Sequence, residues 1–208
     1  MLEAALDLFS RQGYRGTSVR EIAAAAGVST GNVYHHFPDK ETMFVALLEQ
    51  YWEAIDGPDL PLNKALASGQ FPDDLAALGE AARETVEKYK PYVALIYVDV
   101  VEFGGVHIRR FYSEMARRFE DSMGARVDRA RVERRIRPGI SPGFAAMLVS
   151  RVYLNYFAVE ILFGVPNHFG KSTPDVIRAI ADILERGIRV PEDPSAGSPA
   201  TDSKPQAS

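Results

Sequence analysis

Between Val28 and Phe44 the chain reads VSTGNVYHHFPDKETMF, with Tyr34, His35 and His36 side by side on a very short segment. Neighbouring residues of a helix point about 100° apart, so two adjacent histidines cannot both enter one core. Part of this segment must face outward. Ser29, Thr30, Gly31 and Asn32 bring small polar side chains and free backbone N–H groups to the start of the same helix. A helix N-terminus of that kind suits a phosphate or a base edge. Gly31 has no side chain to hold an approaching backbone away. Tyr34 and His35 can donate to phosphate oxygens, and Lys40 adds a point charge where the next helix begins.

The elements on either side must hold these residues in place. Leu2, Ala5, Leu6 and Phe9 follow the i, i+3, i+4, i+7 spacing of an amphipathic helix that stops before Gly13. Ser18 opens a second helix, with Glu21 placed to complete a capping box, and Gly27 ends it. Ser29 caps the third, very short helix, which lends Val33 and Phe37 to a core. Pro38 stops that helix, and Asp39 caps a fourth with Phe44, Leu47, Leu48 and Tyr51 on its apolar face. Two helices joined by a tight glycine turn form a helix-turn-helix over about residues 18–37, an arrangement in which the second helix enters the DNA major groove. Local charge agrees: Arg11, Arg15, Arg20 and Lys40 against Glu21 and Asp39 give +2 over residues 11–40, within a chain of net charge −4. The competing reading is a purely structural helical hairpin with Tyr34 packed inside.

The stretch LFSRQGYRGTSVREIAAAAGVSTGNVYHHFPDKETMFVALL resembles the N-terminal DNA-binding domain of TetR/AcrR-family transcriptional regulators. The likeness covers about the first 50 residues and rests on GY-x-G-TS-V-R-x-IA, AGVS-x-G-x-VY-x-HF and the entry to the fourth helix. It implies that Thr17 touches phosphate at the entry of the second helix. It implies too that Thr30, Gly31 and Asn32 lie against base edges or backbone, that Tyr34, His35 and His36 meet phosphates and bases, and that Lys40 meets phosphate. Ser29 completes this expected DNA-binding set. His36 has a second reading, as a residue that caps or packs against a neighbouring helix. The first helix opens at Leu2, so the basic arm that family members often carry before it is not part of the match.

Gly57 to Pro61 reads as a hinge. Beyond it the spacing predicts helices over Pro72–Lys90, Pro91–Phe103, Ile108–Arg135, Pro142–Phe163 and Pro174–Ile188, and no alternating strand pattern. The fold class is therefore all-α: residues 1–50 a helix-turn-helix domain, 57–190 a larger helical domain, 191–208 a disordered tail rich in Pro, Ser, Ala and Asp. By resemblance the larger domain binds a small effector and pairs with a second copy; the stripes of Pro142–Phe163 and Pro174–Ile188 are the candidates for that pairing, and they read equally as intramolecular core. In YVALIYVDVVEF, Asp99 and Glu102 interrupt an apolar helix that also carries Tyr97 and Phe103. Buried carboxylates are costly unless partnered, so these four, with Tyr153 and Tyr156, are the effector-contact candidates; a wet helix edge or an arginine partner explains the acids equally. Residues 107–138 hold ten arginines against five acids, and Glu114 with Arg118 and Glu133 with Arg137 sit four apart, as on a solvated helix face.

Other classes fit poorly. HFGKST at 168–173 lacks the glycine spacing and preceding strand of a phosphate-binding loop, and no nucleophile elbow is present. Four histidines and no cysteine give no metal-ligand spacing, so no metal or other cofactor is expected. No apolar run approaches the roughly 20 residues of a membrane span, and with no cysteine a reducing cytoplasm is the expected setting. The sequence points to a ligand-responsive regulator, most simply a repressor, that binds a palindromic double-stranded DNA operator as a homodimer. The alternative is a helical ligand-binding or interaction protein whose DNA binding has decayed.

Overall fold

The computed structural model describes residues 1–68, 71–126 and 132–190; the expected tail lies outside them. Four helices open the chain: α1 Leu2–Gln12, α2 Val19–Ala25, α3 Thr30–His36 and α4 Lys40–Asp56. Six follow: α5 Pro61–Ala67, α6 Leu75–Lys88, α7 Lys90–Glu102, α8 Val106–Arg126, α9 Pro142–Phe157 and α10 Thr173–Ile188. No strand forms among the described residues; the backbones of Arg135–Arg137 and Ile188–Val190 pair briefly through Arg137 N–H to Ile188 O and Val190 N–H to Arg135 O. The all-α expectation holds.

Local chemistry sets most helix starts. Ser18, Ser29, Asp39, Asp74, Ser141 and Ser172 each accept the backbone N–H of the third residue of the helix they open, which satisfies one of its orphan donors. Two differences from the sequence reading have clear causes. The Gly57–Pro61 stretch is not a free hinge: it leads into α5, whose Asn63 amide donates to the Ile55 and Gly57 carbonyls at 2.7 and 2.8 Å and so ties off the end of α4. The helix expected to run straight to Phe163 changes to π-type over Ala158–Leu162. Together α9 and that turn make 21 residues long and apolar enough to cross a bilayer, contrary to the sequence reading. Here, however, Ala145, Ala146, Val149, Tyr153 and Phe157 of this helix are fully enclosed by protein.

Two apolar cores result. The larger joins α5, α6, α9 and α10 around Leu75, Leu78, Val149, Tyr153 and Ile177. The smaller joins α1 to α4 around Ala5, Phe9, Ile22, Val33, Phe44 and Leu47, and it also contains Leu95 of α7, at 0% exposure. Residues 1–50 therefore do not close their own core. α7 belongs to both halves.

The far end of α7 forms the seam. Gly104 and Gly105, both at positive φ, turn the chain by 117° between α7 and α8, a backbone conformation that only glycine adopts at low cost. At this corner Glu102 reaches 87 and 88 residues back: its Oε1 accepts the Tyr14 N–H at 3.0 Å and its Oε2 the Arg15 N–H at 2.7 Å. Phe103 stacks on Phe44 at 5.1 Å and tilts against Tyr14 at 4.6 Å. Asp99, at 0% exposure, accepts the Ile108 N–H at 3.0 Å and pairs with His107 Nδ1 at 2.6 Å; His107 Nε2 then faces Glu41 of α4 at 3.5 Å.

Packing and polar contacts make separate predictions. A Cβ on Gly79 of α6 would come within 2.8 Å of Ile177 Cγ2 and 2.9 Å of Tyr153 Cε1. Gly79→Ala should therefore destabilise the protein by about 1–3 kcal/mol through overpacking, read as a lower denaturant midpoint. Glu102→Ala strands the Tyr14 and Arg15 amides at the seam and should cost about 1–3 kcal/mol; an unchanged midpoint would show that water replaces the carboxylate without loss.

Candidate nucleic-acid interface and ligand cavity

The motif is assembled from its caps. Ser18 Oγ accepts the Glu21 N–H at 3.2 Å while Glu21 Oε2 accepts the Ser18 N–H at 2.7 Å, a complete capping box. The Ser18 hydroxyl, then its backbone, hold the Glu21 carboxyl below the usual carboxylate range. Gly27, at φ 67°, breaks α2 in the left-handed conformation, and the Val28 N–H closes back to the Ala23 carbonyl at 3.0 Å. Ser29 then starts α3 by accepting the Asn32 N–H at 3.1 Å.

α3 spends almost nothing inward. Val33 is its buried residue, Phe37 is half-buried just past its end, and Thr30, Gly31, Asn32, Tyr34, His35 and His36 are all exposed, Tyr34 at 53%. A packed Tyr34 is excluded. The two histidine rings meet edge to face at 5.3 Å, and His36, though exposed, is held by its neighbour rather than by a cap on another helix. Asn32, Tyr34 and His35 thus present donors and acceptors to one exterior surface.

Two residues expected beside them are used differently. Thr17 is 2% exposed and its hydroxyl donates to the Gly13 carbonyl at 2.7 Å, so its side chain has no free path to an outside phosphate. Lys40 Nζ donates to the carbonyls of Tyr14 and Thr17, both at 2.7 Å, and lies 4.1 Å from the centre of the Tyr14 ring. Burial pulls the Lys40 pKa down, against the pull of Glu102 and Glu21. Lys40 ties the α1–α2 turn to the start of α4, and only the remaining N–H of its ammonium is free for a phosphate.

Deeper in the molecule, α4 to α9 enclose an aromatic-walled cavity of about 180 Å³. Tyr51 and Trp52 of α4, Tyr97 of α7, and Phe111, Tyr112 and Arg118 of α8 supply its characteristic groups. Of the six effector candidates, Tyr97 alone lines it. Asp99, Glu102 and Phe103 sit at the seam, because the corner glycines swing the end of α7 onto α1 and α4. Tyr153 is in the larger core with its hydroxyl on the Ile177 carbonyl at 3.1 Å, and Tyr156 donates to Glu160 at 2.6 Å, away from the cavity. Burial raises the pKa of both phenols, so both stay neutral. Sequence reading missed Trp52, Phe111 and Arg118. Trp52, the single tryptophan, stands beside the α4 stripe and could have been noticed; Arg118 was hidden in an arginine-rich run, and part of that run lies outside the described residues.

Comparison with known proteins agrees with this architecture. Residues 1–47 match the family described as bacterial regulatory proteins, tetR family. The chain is 36% identical over 103 residues to the HTH-type transcriptional repressor KstR2 of Rhodococcus jostii, covering 49% of this chain and 48% of that protein. It is 38% identical over 92 residues to the HTH-type transcriptional regulator RutR of Escherichia coli, covering 44% and 41%. The matched part thus spans about half the length of these relatives. The crystal structure of NalD, the secondary repressor of the MexAB-OprM multidrug efflux pump in Pseudomonas aeruginosa, superposes over 90% of this chain and 94% of its own with a TM-score of 0.56 at 24% identity, a likeness of fold. Residues 1–47 thus carry the N-terminal helices described for the tetR family of bacterial regulatory proteins, and over nine tenths of its length the chain is similar in fold to NalD.

Proposed function

We propose that this protein is a ligand-responsive transcriptional regulator, acting most simply as a repressor, that binds operator DNA as a homodimer through α3. The observation that carries the reading is the one-sided use of α3: one buried valine, with every polar residue from Thr30 to His36 turned outward on a capped helix-turn-helix. Phosphate contacts from Tyr34 and the histidines position the protein, while Asn32 and the start of α3 read bases. One such short helix is weakly charged, and affinity for DNA comes largely from neutralised phosphates. A second copy doubles those contacts and reads a palindrome. Support for pairing comes from Phe144 at 50% and Leu148 at 39% exposure on α9 and Ile183 at 68% on α10, apolar side chains left outside the core on adjoining helices. The effector reading rests on the aromatic cavity, which touches α4, the helix that begins at Lys40 beside the motif. A ligand acts there only through its differential affinity for two arrangements of the dimer.

Gel-shift titration of the full chain on the DNA upstream of its own coding region tests this reading; a Kd no tighter than on unrelated DNA of equal length would sink it. Tyr34→Ala should weaken binding to every sequence while leaving the denaturant midpoint nearly unchanged, since Tyr34 is more than half exposed and belongs to neither core. Asn32→Ala should also change sequence preference, by about 1–3 kcal/mol at one base position. Lys40→Ala should weaken DNA binding and lower stability together, because it also frees the α1–α2 turn. In light scattering the protein should have the mass of a dimer at micromolar concentration, and a monomer that still binds the operator tightly would contradict the pairing.

A further inference from the structure

The cavity has a chemical preference that its walls define. Five aromatic rings enclose it, and Trp52 and Phe111 lie face to face at 3.9 Å with 10° between their planes. Flat apolar groups fit such walls by offset stacking. Most of the polar groups in the lining are already answered by protein. Thr85 and Ser150 donate to the carbonyls of Ala81 and Ala146 one turn earlier, and the Asn63 amide is held by Ile55 and Gly57. Arg151 donates to the Tyr112 hydroxyl at 3.1 Å.

Arg118 differs. Its Nη1 donates to Asp56, the last residue of α4, at 2.5 Å, and its Nη2 reaches Glu114 only at 3.4 Å. Its Nε is buried and has no hydrogen-bond partner. Nε and Nη2 form one edge of the guanidinium fork, the edge that receives a carboxylate through two parallel hydrogen bonds. Asp56 occupies the other side and stays in place; on Nη2 a ligand carboxylate takes over from Glu114, whose contact is the longer one. Arg118 is ion-paired with Asp56 and with Glu114 outside the lining, while Arg151 meets the neutral Tyr112 hydroxyl, so the positive charge left in the lining is that of Arg151, which favours an anion over a cation.

We propose that the cavity binds aromatic or fused-ring carboxylic acids, their rings among Tyr51, Trp52, Tyr97, Phe111 and Tyr112 and their carboxylate on the Nε–Nη2 edge of Arg118. This assignment deepens the effector reading above and rests on it for its regulatory meaning, but not for the binding itself. Arg118 also joins α8 to the last residue of α4, so an acid held there sits one residue from the helix that leads back to the motif.

The protein carries its own reporter, because Trp52 is its single tryptophan and lines the site. Benzoate, 2-naphthoate and pyrene-1-carboxylate are titrated into the full chain, each against its neutral carboxamide, with Trp52 emission and calorimetry as readouts. At least one acid should bind at least tenfold tighter than its amide. Arg118→Met, which keeps the apolar stem, should abolish that preference while leaving amide binding within about threefold. Arg118→Lys should restore part of it. Equal affinity for acid and amide, an acid preference that survives Arg118→Met, or no binding by any of the three acids would each overturn the assignment. If Arg118→Met unfolds the chain, Arg118→Lys decides alone: an undiminished acid preference there removes the need for the guanidinium edge. Adding the tightest acid to the gel shift separates the two readings. Binding without any change in DNA affinity leaves the site standing and contradicts ligand-responsive regulation.

Discussion

The arrangement depends on one carboxylate at a glycine corner. Glu102 ends α7, and its two oxygens take the amides of Tyr14 and Arg15 in the turn that leads into the helix-turn-helix. Hydrogen bonds to a charged acceptor are among the stronger polar contacts in a protein, and these two span the seam between the cores. Besides them the α1–α2 turn is held to the rest of the molecule chiefly by Lys40 and by the packing of the Phe103, Phe44 and Tyr14 rings. Asp99 supports the same corner from beneath. It is buried without solvent, which is tolerable because the Ile108 amide and His107 answer its oxygens.

This seam gives the aromatic cavity a physical connection to the motif. α4 has its first turn against the seam, through Lys40 and Glu41, and its last turn against the cavity, through Trp52 and Asp56. Asn63 ties off the C-terminal end of α4, so the helix is held at both ends. A change in the cavity wall therefore meets a stiff rod, not a loose linker. α7 makes a second connection, with Leu95 in the smaller core, Tyr97 at the cavity and Glu102 at the corner. Two helices rather than one join the cavity to the motif.

What the sequence disclosed follows from the range of each interaction. The caps at Ser18, Ser29 and Asp39 bond to residues three positions on, so a reader of the sequence sees both partners at once. The turn at Gly27 and the outward face of α3 were legible for the same reason. Asp99 and Glu102 stand out in the sequence as carboxylates needing partners, but a ligand, a wet helix edge and an arginine all answer that need, whereas the hydrogen-bonding partners found are backbone amides and His107. Those of Glu102 lie 87 and 88 residues back in the chain, and those of Asp99 lie beyond a corner whose direction two glycines set. No periodicity encodes that fold-back. The cavity was missed on similar grounds, since six helices each contribute a few residues to it. Tyr153 and Tyr156 fell on the core side of α9 because one face of a helix among several others can meet core, cavity or partner, and spacing alone does not distinguish them.

The central claim is that α3 and its flanking turn are the surface that meets DNA. Amide hydrogen exchange on the full chain, with and without its upstream DNA, tests it most directly. The account predicts slower exchange confined to residues 29–40 and the start of α2. Protection that falls instead on the arginine-rich face of α8, with 29–40 unchanged, would contradict it.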